Sequence, residues 1–301
     1  MKDWEGIEGE GGRLLTSETY SRRDMEVEAR NNRLFTKIFT LTQILGVTTL
    51  LLIIIWLSLF RNGFAWTSNP KLEFNWHPLF MVLGLVFLYA NDYFLLVIGA
   101  LVYRAFRGEM KKKLKIIHAS FHFFALIFAV IGLQAVFDSH NLNVDGNGNP
   151  SPTPNLYSLH SWMGLTVVIL LRVPVIRKFW LYKIKIGVRY VEHFCKWLVG
   201  LLTFLFPGMR PAIRTFYMPV HQYFGISIFV GAVATALMGL NEKAFFAIKD
   251  YSLKSPEGIL VNMIGFCLIV FAGLVVYLTA NSSFKRRATE DEVLLTDTVL
   301  E

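Results

Sequence analysis

The chain has 301 residues, 54% of them hydrophobic and only 17% charged, with a mean hydropathy of +0.46, a balance foreign to a soluble domain of this length. Its formal charge of +8 sits in segments between apolar runs, with no basic and aromatic recognition module, which excludes nucleic acid as a partner and leaves the lipid bilayer. Two cysteines, Cys195 and Cys267, both near or within apolar stretches, exclude a disulfide framework and a cysteine metal site.

In chain order, residues 1–37 form a polar tail expected to be disordered and cytoplasmic. The first apolar run, 39–60, lacks a small-residue cleavage site and reads as a membrane span, not a signal peptide. Further runs cover 78–101, 119–137, 159–171, 197–206, 226–240 and 259–280. Most approach the roughly 20 residues needed to cross about 30 Å of hydrocarbon. Residues 281–301 form a second polar tail.

Charge sets the direction of each run. Arg22, Arg23, Arg30, Arg33 and Lys37 precede the first, and Arg104, Arg107, Lys111, Lys112, Lys113 and Lys115 separate the second from the third. The next connection, 138–157, has no Lys or Arg, whereas Arg210, Arg214, Lys285, Arg286 and Arg287 are basic again. The positive-inside rule then predicts an all-α membrane protein of six transmembrane helices over 38–280, with both tails cytoplasmic. Residues 141–155, rich in Asn, Gly and Pro, read as a flexible non-cytoplasmic loop, and no internal repeat is evident.

Four of the seven histidines stand at the start of a run: His77, His118, His160 and His221. Alternating direction places His77 and His160 at the outer level and His118 and His221 at the inner one. Two imidazole pairs at two depths are what two six-coordinate haems need, and bis-imidazole ligation closes an iron to substrate while suiting it to electron transfer. Zinc on His118 and His122, which are one helical turn apart, is the rival at that level, although no acidic or sulfur ligand completes it. A transporter whose histidines relay protons or bind a metal, and a haem-free scaffold, are the rivals for the whole chain.

Around these histidines the chain resembles the cytochrome b561 family of ascorbate-dependent transmembrane oxidoreductases. The resemblance runs from about Phe74 to Gly258 through His-Pro-Leu-Phe-Met-Val-Leu-Gly, Ala-Leu-Val-Tyr-Arg-Ala-Phe-Arg, Tyr-Ser-Leu-His-Ser-Trp-Met-Gly, Leu-Phe-Pro-Gly, Met-Pro-Val-His and Ala-Thr-Ala-Leu-Met-Gly-Leu. It implies a central four-helix bundle, formed by the second to fifth spans, that holds two b haems per chain, with axial ligands His77 with His160 and His118 with His221. It also implies oxidation of cytoplasmic ascorbate and delivery of the electron to monodehydroascorbate or ferric iron on the other side. Arg104, Lys111, Lys115 and Arg214 fall on the family's ascorbate-binding positions, with ordinary positive-inside charges as the alternative. His140 falls on the position that contacts the outer acceptor, with a solvated loop histidine as the alternative. The resemblance further suggests a homodimer.

Two segments depart from the family pattern. About 24 extra residues, Arg172 to Cys195, interrupt the fourth span with six basic side chains, each costing about 2.5 to 3.5 kcal/mol at a bilayer centre. They form a cytoplasmic or interfacial excursion or are translated intron, as is a smaller surplus near Asp92 to Ala100. Acidic-dileucine patterns ending at Leu14-Leu15 and Leu294-Leu295 favour an endosomal, lysosomal or secretory-vesicle membrane over the plasma membrane.

Overall fold

In a computed structural model, the structure describes residues 5–91, 109–172 and 211–284, and these are almost wholly helical. Helix α1 spans Glu5–Leu59, α2 Pro70–Glu73 and α3 Trp76–Met81, continued by a π-helical segment, Val82–Leu88. Then follow α4 (Glu109–Asn141), α5 (Leu159–Arg172), α6 (Pro211–Ala247) and α7 (Pro256–Ala280). Five stretches among the described residues are long and apolar enough to cross a membrane: Met25–Leu59, Pro70–Asn91, Ile116–Asn141, Met218–Ala247 and Pro256–Ala280. Leu159–Leu171 is a shorter apolar helix, at the place where the fourth span is expected to start. The chain is a multi-pass α-helical membrane protein.

Three expectations change. The first helix begins at Glu5, well inside the tail expected to be disordered. The second span opens at Pro70, eight residues before Pro78, because Asn69 accepts from the Leu72 N–H and Pro70 supplies the preset φ of a first helical position. The loop expected to be flexible is tied down by its own polar side chains. There the Asp145 carboxylate accepts the N–H groups of Asn149 and Asn147, which hold its pKa below the ordinary value, and Val144 pairs with Pro150. The surplus near Asp92 to Ala100, residues 173–195 and Leu294-Leu295 lie outside the described residues.

Packing runs from α3 and the π segment to α4, from α4 to α5, from α5 to α6, and from α6 back to the π segment. Gly84 permits a close approach of two backbones, since a Cβ there would stand 2.9 Å from the Ala125 carbonyl oxygen on α4. Outside this ring α1 packs on α7. On α7 the buried positions Val261, Ile264, Leu268, Phe271, Val275 and Leu278 alternate steps of three and four, a seam that meets buried Ile53, Trp56 and Leu57 of α1 in one core. Thr42, Thr49, Thr235 and Thr279 return their hydroxyls to carbonyls of the preceding turn, the partner available to them in hydrocarbon.

The connections 60–69, 142–158 and 248–255 share one end of the molecule, here called the loop end. There Arg61 donates to the Ala247 carbonyl at 3.1 and 3.2 Å and forms an ion pair with Glu257, which also accepts the Trp56 indole N–H at 2.7 Å. Both charged side chains are largely buried. Removing one partner from such a cluster strands the other, so Glu257→Ala is expected to destabilise the protein by about 3 kcal/mol. Glu257→Gln, which keeps an acceptor for Trp56, should cost less. Unfolding midpoints in detergent check this, and an unchanged midpoint for Glu257→Ala would refute it.

Candidate functional site

His77 lies in the first turn of α3, and His160 in the first turn of α5, so both imidazoles sit toward the loop end. His118 and His221 lie in the opposite halves of α4 and α6. The rings of His77 and His160 are 6.1 Å apart between centres and perpendicular, and those of His118 and His221 are also 6.1 Å apart, crossing at 67°. The pairs read from helix direction are therefore pairs in space.

Hydrogen bonds hold the loop-end pair in place. The His77 Nδ1 lies 3.0 Å from the Gly132 carbonyl oxygen, and the His160 Nδ1 lies 2.9 Å from that of Thr235. A carbonyl can only accept, so each Nδ1 carries the proton and each Nε2 keeps its lone pair. With metal–imidazole bonds of about 2.0 Å and about 1.1 Å from nitrogen to ring centre, one metal midway separates the centres by about 6.2 Å. Both observed separations match.

Among the described residues no three His, Cys, Asp or Glu side chains converge on a common point. Each histidine pair is thus a two-ligand arrangement, and a metal held there needs its remaining donors from a planar cofactor such as a porphyrin. Space for one exists at the loop end. A cavity of about 540 Å³ contains both imidazoles and is walled by apolar side chains including Leu85, Val86, Val167 and Phe246. Gly239 forms part of that wall: a Cβ there would stand 2.7 Å from His160 Cε1 and 3.0 Å from its Nδ1. The donor set and the cavity fit a haem.

His140, in the last turn of α4, stacks on Phe74 with ring centres 6.5 Å apart and meets Asn155 Oδ1 through Nδ1 at 2.9 Å. It lines the mouth of the same cavity, so it is a bonded wall residue and not a free loop side chain. At the other end His122 packs edge-on against His118 at 4.7 Å and against Tyr89 at 5.0 Å. Arg104 lies outside the described residues; Lys111 and Lys115 fall on α4 and Arg214 on α6, where only the backbone is described.

Sequence reading missed the carbonyls of Gly132 and Thr235, and a signal for them was present. Gly132 follows His118 by 14 residues on α4, and Thr235 follows His221 by 14 on α6. The two long helices are thus equivalent columns, each with an imidazole near one end and an acceptor for its neighbour's imidazole about 21 Å along.

Comparison with known proteins identifies the family. The family profile for eukaryotic cytochrome b561 matches residues 76–193 and 185–247. A Caenorhabditis elegans homolog of the transmembrane ascorbate-dependent reductase CYB561 is 37% identical over 271 residues, 88% of this chain and 90% of the relative. The Homo sapiens transmembrane ascorbate-dependent reductase CYB561 is 39% identical over 255 residues, 84% of this chain and 86% of the relative. The Xenopus tropicalis plasma membrane ascorbate-dependent reductase CYBRD1 is 35% identical over 260 residues, 85% and 78% respectively. With its profile matched across more than half the chain, and with relatives this similar along most of both lengths, this protein belongs to the eukaryotic cytochrome b561 family.

Proposed function

We propose that the chain is an ascorbate-dependent transmembrane oxidoreductase with six spans, whose second to fifth hold two b haems, one on His77 and His160 and the other on His118 and His221. The observation that carries the reading is the repetition of one geometry: two imidazole pairs, each 6.1 Å between centres, one toward the loop end on α3 and α5 and the other in the opposite halves of α4 and α6. Family membership implies b haem, and the relatives' names supply the reductant. When bound, haem closed by two imidazoles supplies one-electron chemistry without an open site for oxygen or substrate.

The chain's own residues then have separate tasks. Gly132 and Thr235 hold the protons of His77 and His160 on Nδ1, so that both Nε2 atoms face the cavity. Leu85, Val86, Val167 and Phe246 keep water from it. At the cytoplasmic face Arg104, Lys111, Lys115 and Arg214 concentrate ascorbate, a monoanion at neutral pH, by their fixed positive charge. Each ascorbate gives up one electron and one proton there and leaves as monodehydroascorbate. At the loop end, read as non-cytoplasmic because 138–157 lacks Lys and Arg, monodehydroascorbate or a ferric chelate takes up one electron beside His140 and Phe74. The protein works as a homodimer in an endosomal, lysosomal or secretory-vesicle membrane, with the segment Arg172 to Cys195 as a basic excursion on the cytoplasmic side.

Proteoliposomes loaded with ascorbate and offered each acceptor outside test this. Wild-type protein should bind two haems per chain, show a Soret band, and reduce at least one acceptor. His160→Ala should keep one haem and lose transmembrane transfer; a variant with two haems and full activity would refute the pairing.

Gly239→Ala supplies a finer check. Its methyl group occupies space now filled by the His160 ring and forces that ring off the Thr235 carbonyl. Haem content should fall from two toward one per chain, read from the ratio of haem to protein, while the His118 and His221 pair is untouched. Unaltered haem content would show that the close approach is unimportant.

A further inference from the structure

Among the described residues Lys243 forms no ion pair, and Glu257, the carboxylate that acts on it, is already paired with Arg61. Lys243 lies on α6, half-buried, with its ammonium 3.8 Å above the centre of the Phe74 ring. That contact with the aromatic face is the one its ammonium makes among the described residues. The carboxylates around it are engaged elsewhere: Glu257 holds Arg61 and the Trp56 indole, and Glu242 accepts the Ser158 hydroxyl. Arg61, the other nearby charge, is positive. A cation facing an aromatic ring keeps part of its stabilisation, but a half-buried ammonium generally finds an anion as well.

Its position indicates where that anion comes from. Thr235, Gly239 and Lys243 follow one another at intervals of four residues and so lie along one face of α6. The Thr235 carbonyl accepts a hydrogen bond from His160, Gly239 abuts the His160 ring, and Lys243 stands about 6 Å further toward the loop end. On the opposite wall Phe74, under the ammonium, touches the ring of His77 at 5.9 Å between centres. Lys243 thus spans the cavity mouth directly above the paired imidazoles, on the side of the loops, and lines the cavity itself.

A b haem carries two carboxylates on one edge, and in a bilayer that edge turns to the aqueous end because a charge is costly in hydrocarbon. The geometry points to Lys243 as the cationic anchor for a carboxylate of the haem held between His77 and His160. This rests on the two-haem reading and adds to it a residue that sets the cofactor's orientation and potential. A cation there favours the more negative, reduced state, so its loss lowers the midpoint potential of that haem. A carboxylate on a soluble acceptor is the other source of the same chemistry, and measurement without any acceptor separates the two.

Purified full-length wild type, Lys243→Met and Lys243→Arg would be compared without acceptor by haem content, equilibrium redox titration and the propionate bending band in resonance Raman spectra. Lys243→Met should keep two haems, shift that propionate band, and make one haem about tenfold harder to reduce, ~59 mV for one electron. Lys243→Arg should resemble wild type. Loss of one haem from Lys243→Met alone, with Lys243→Arg retaining both, would support the anchor equally. Loss from both variants would overturn it, as would a Lys243→Met protein with two haems and an unmoved propionate band, whatever its activity toward anionic chelates. Wild-type protein without haem would overturn the underlying reading instead.

Discussion

The arrangement depends on a hydrogen bond from an imidazole Nδ1 to a helical carbonyl. Every carbonyl inside a helix already accepts one N–H, but it has a second lone pair, and at Gly132 and Thr235 a neighbouring helix uses it. In water such a bond would compete with solvent; in hydrocarbon no substitute exists, so the bond fixes both the tautomer and the ring direction. It also fixes the helices. His77 registers α3 against α4, and His160 registers α5 against α6, so the bonds that aim the imidazoles also align the elements that carry them.

The loop end reinforces that alignment from outside the ring. Asn75, buried just before α3, donates to the carbonyls of Arg61 and Gly63, and the Trp76 indole donates to Ala65. The link between α1 and α2 is thereby anchored immediately beside His77. Arg61 and Glu257 bring the ends of α1 and α6 to the start of α7, where Ser255 caps the helix through the Gly258 N–H and Pro256 occupies its first position. The loop end, where the connection 142–158 lines the cavity, is thus held by backbone acceptors, which suits a site whose occupant must keep a constant distance from its partner.

Much of this was legible in the sequence, and what was not has a common physical origin. Direction and depth followed from apolar length and basic loops, and they were enough to pair His77 with His160 and His118 with His221. The resemblance supplied the chemistry those pairs serve. What escaped were groups whose role does not depend on side-chain type. The Gly132 and Thr235 carbonyls belong to the backbone, and Gly239 matters through an absent atom. Lys243 falls between the apolar runs 226–240 and 259–280, and only the extension of α6 carries it past Gly239 and over Phe74. The loop rich in Asn and Gly looked mobile because its composition resembles a linker, yet Asp145 and Asn143 replace missing backbone partners and Asn155 donates to the Asn141 side chain.

The interval of 14 residues restricts where sequence can be added without disturbing the two pairs. At 3.6 residues per turn, 14 residues make almost four complete turns, so an imidazole and the acceptor 14 positions later lie on nearly the same helix face. Thus α4 presents one face to both histidine pairs, as does α6, whereas α3 and α5 each contribute a single imidazole. A residue inserted between His118 and Gly132, or between His221 and Thr235, would rotate one site about 100° away from the other. The two segments that exceed the family pattern avoid both intervals. The stretch near Asp92 to Ala100 follows His77 in the sequence, and Arg172 to Cys195 follows His160. The intervals from His118 to Gly132 and from His221 to Thr235 therefore stay at 14 residues whatever lies in those two stretches.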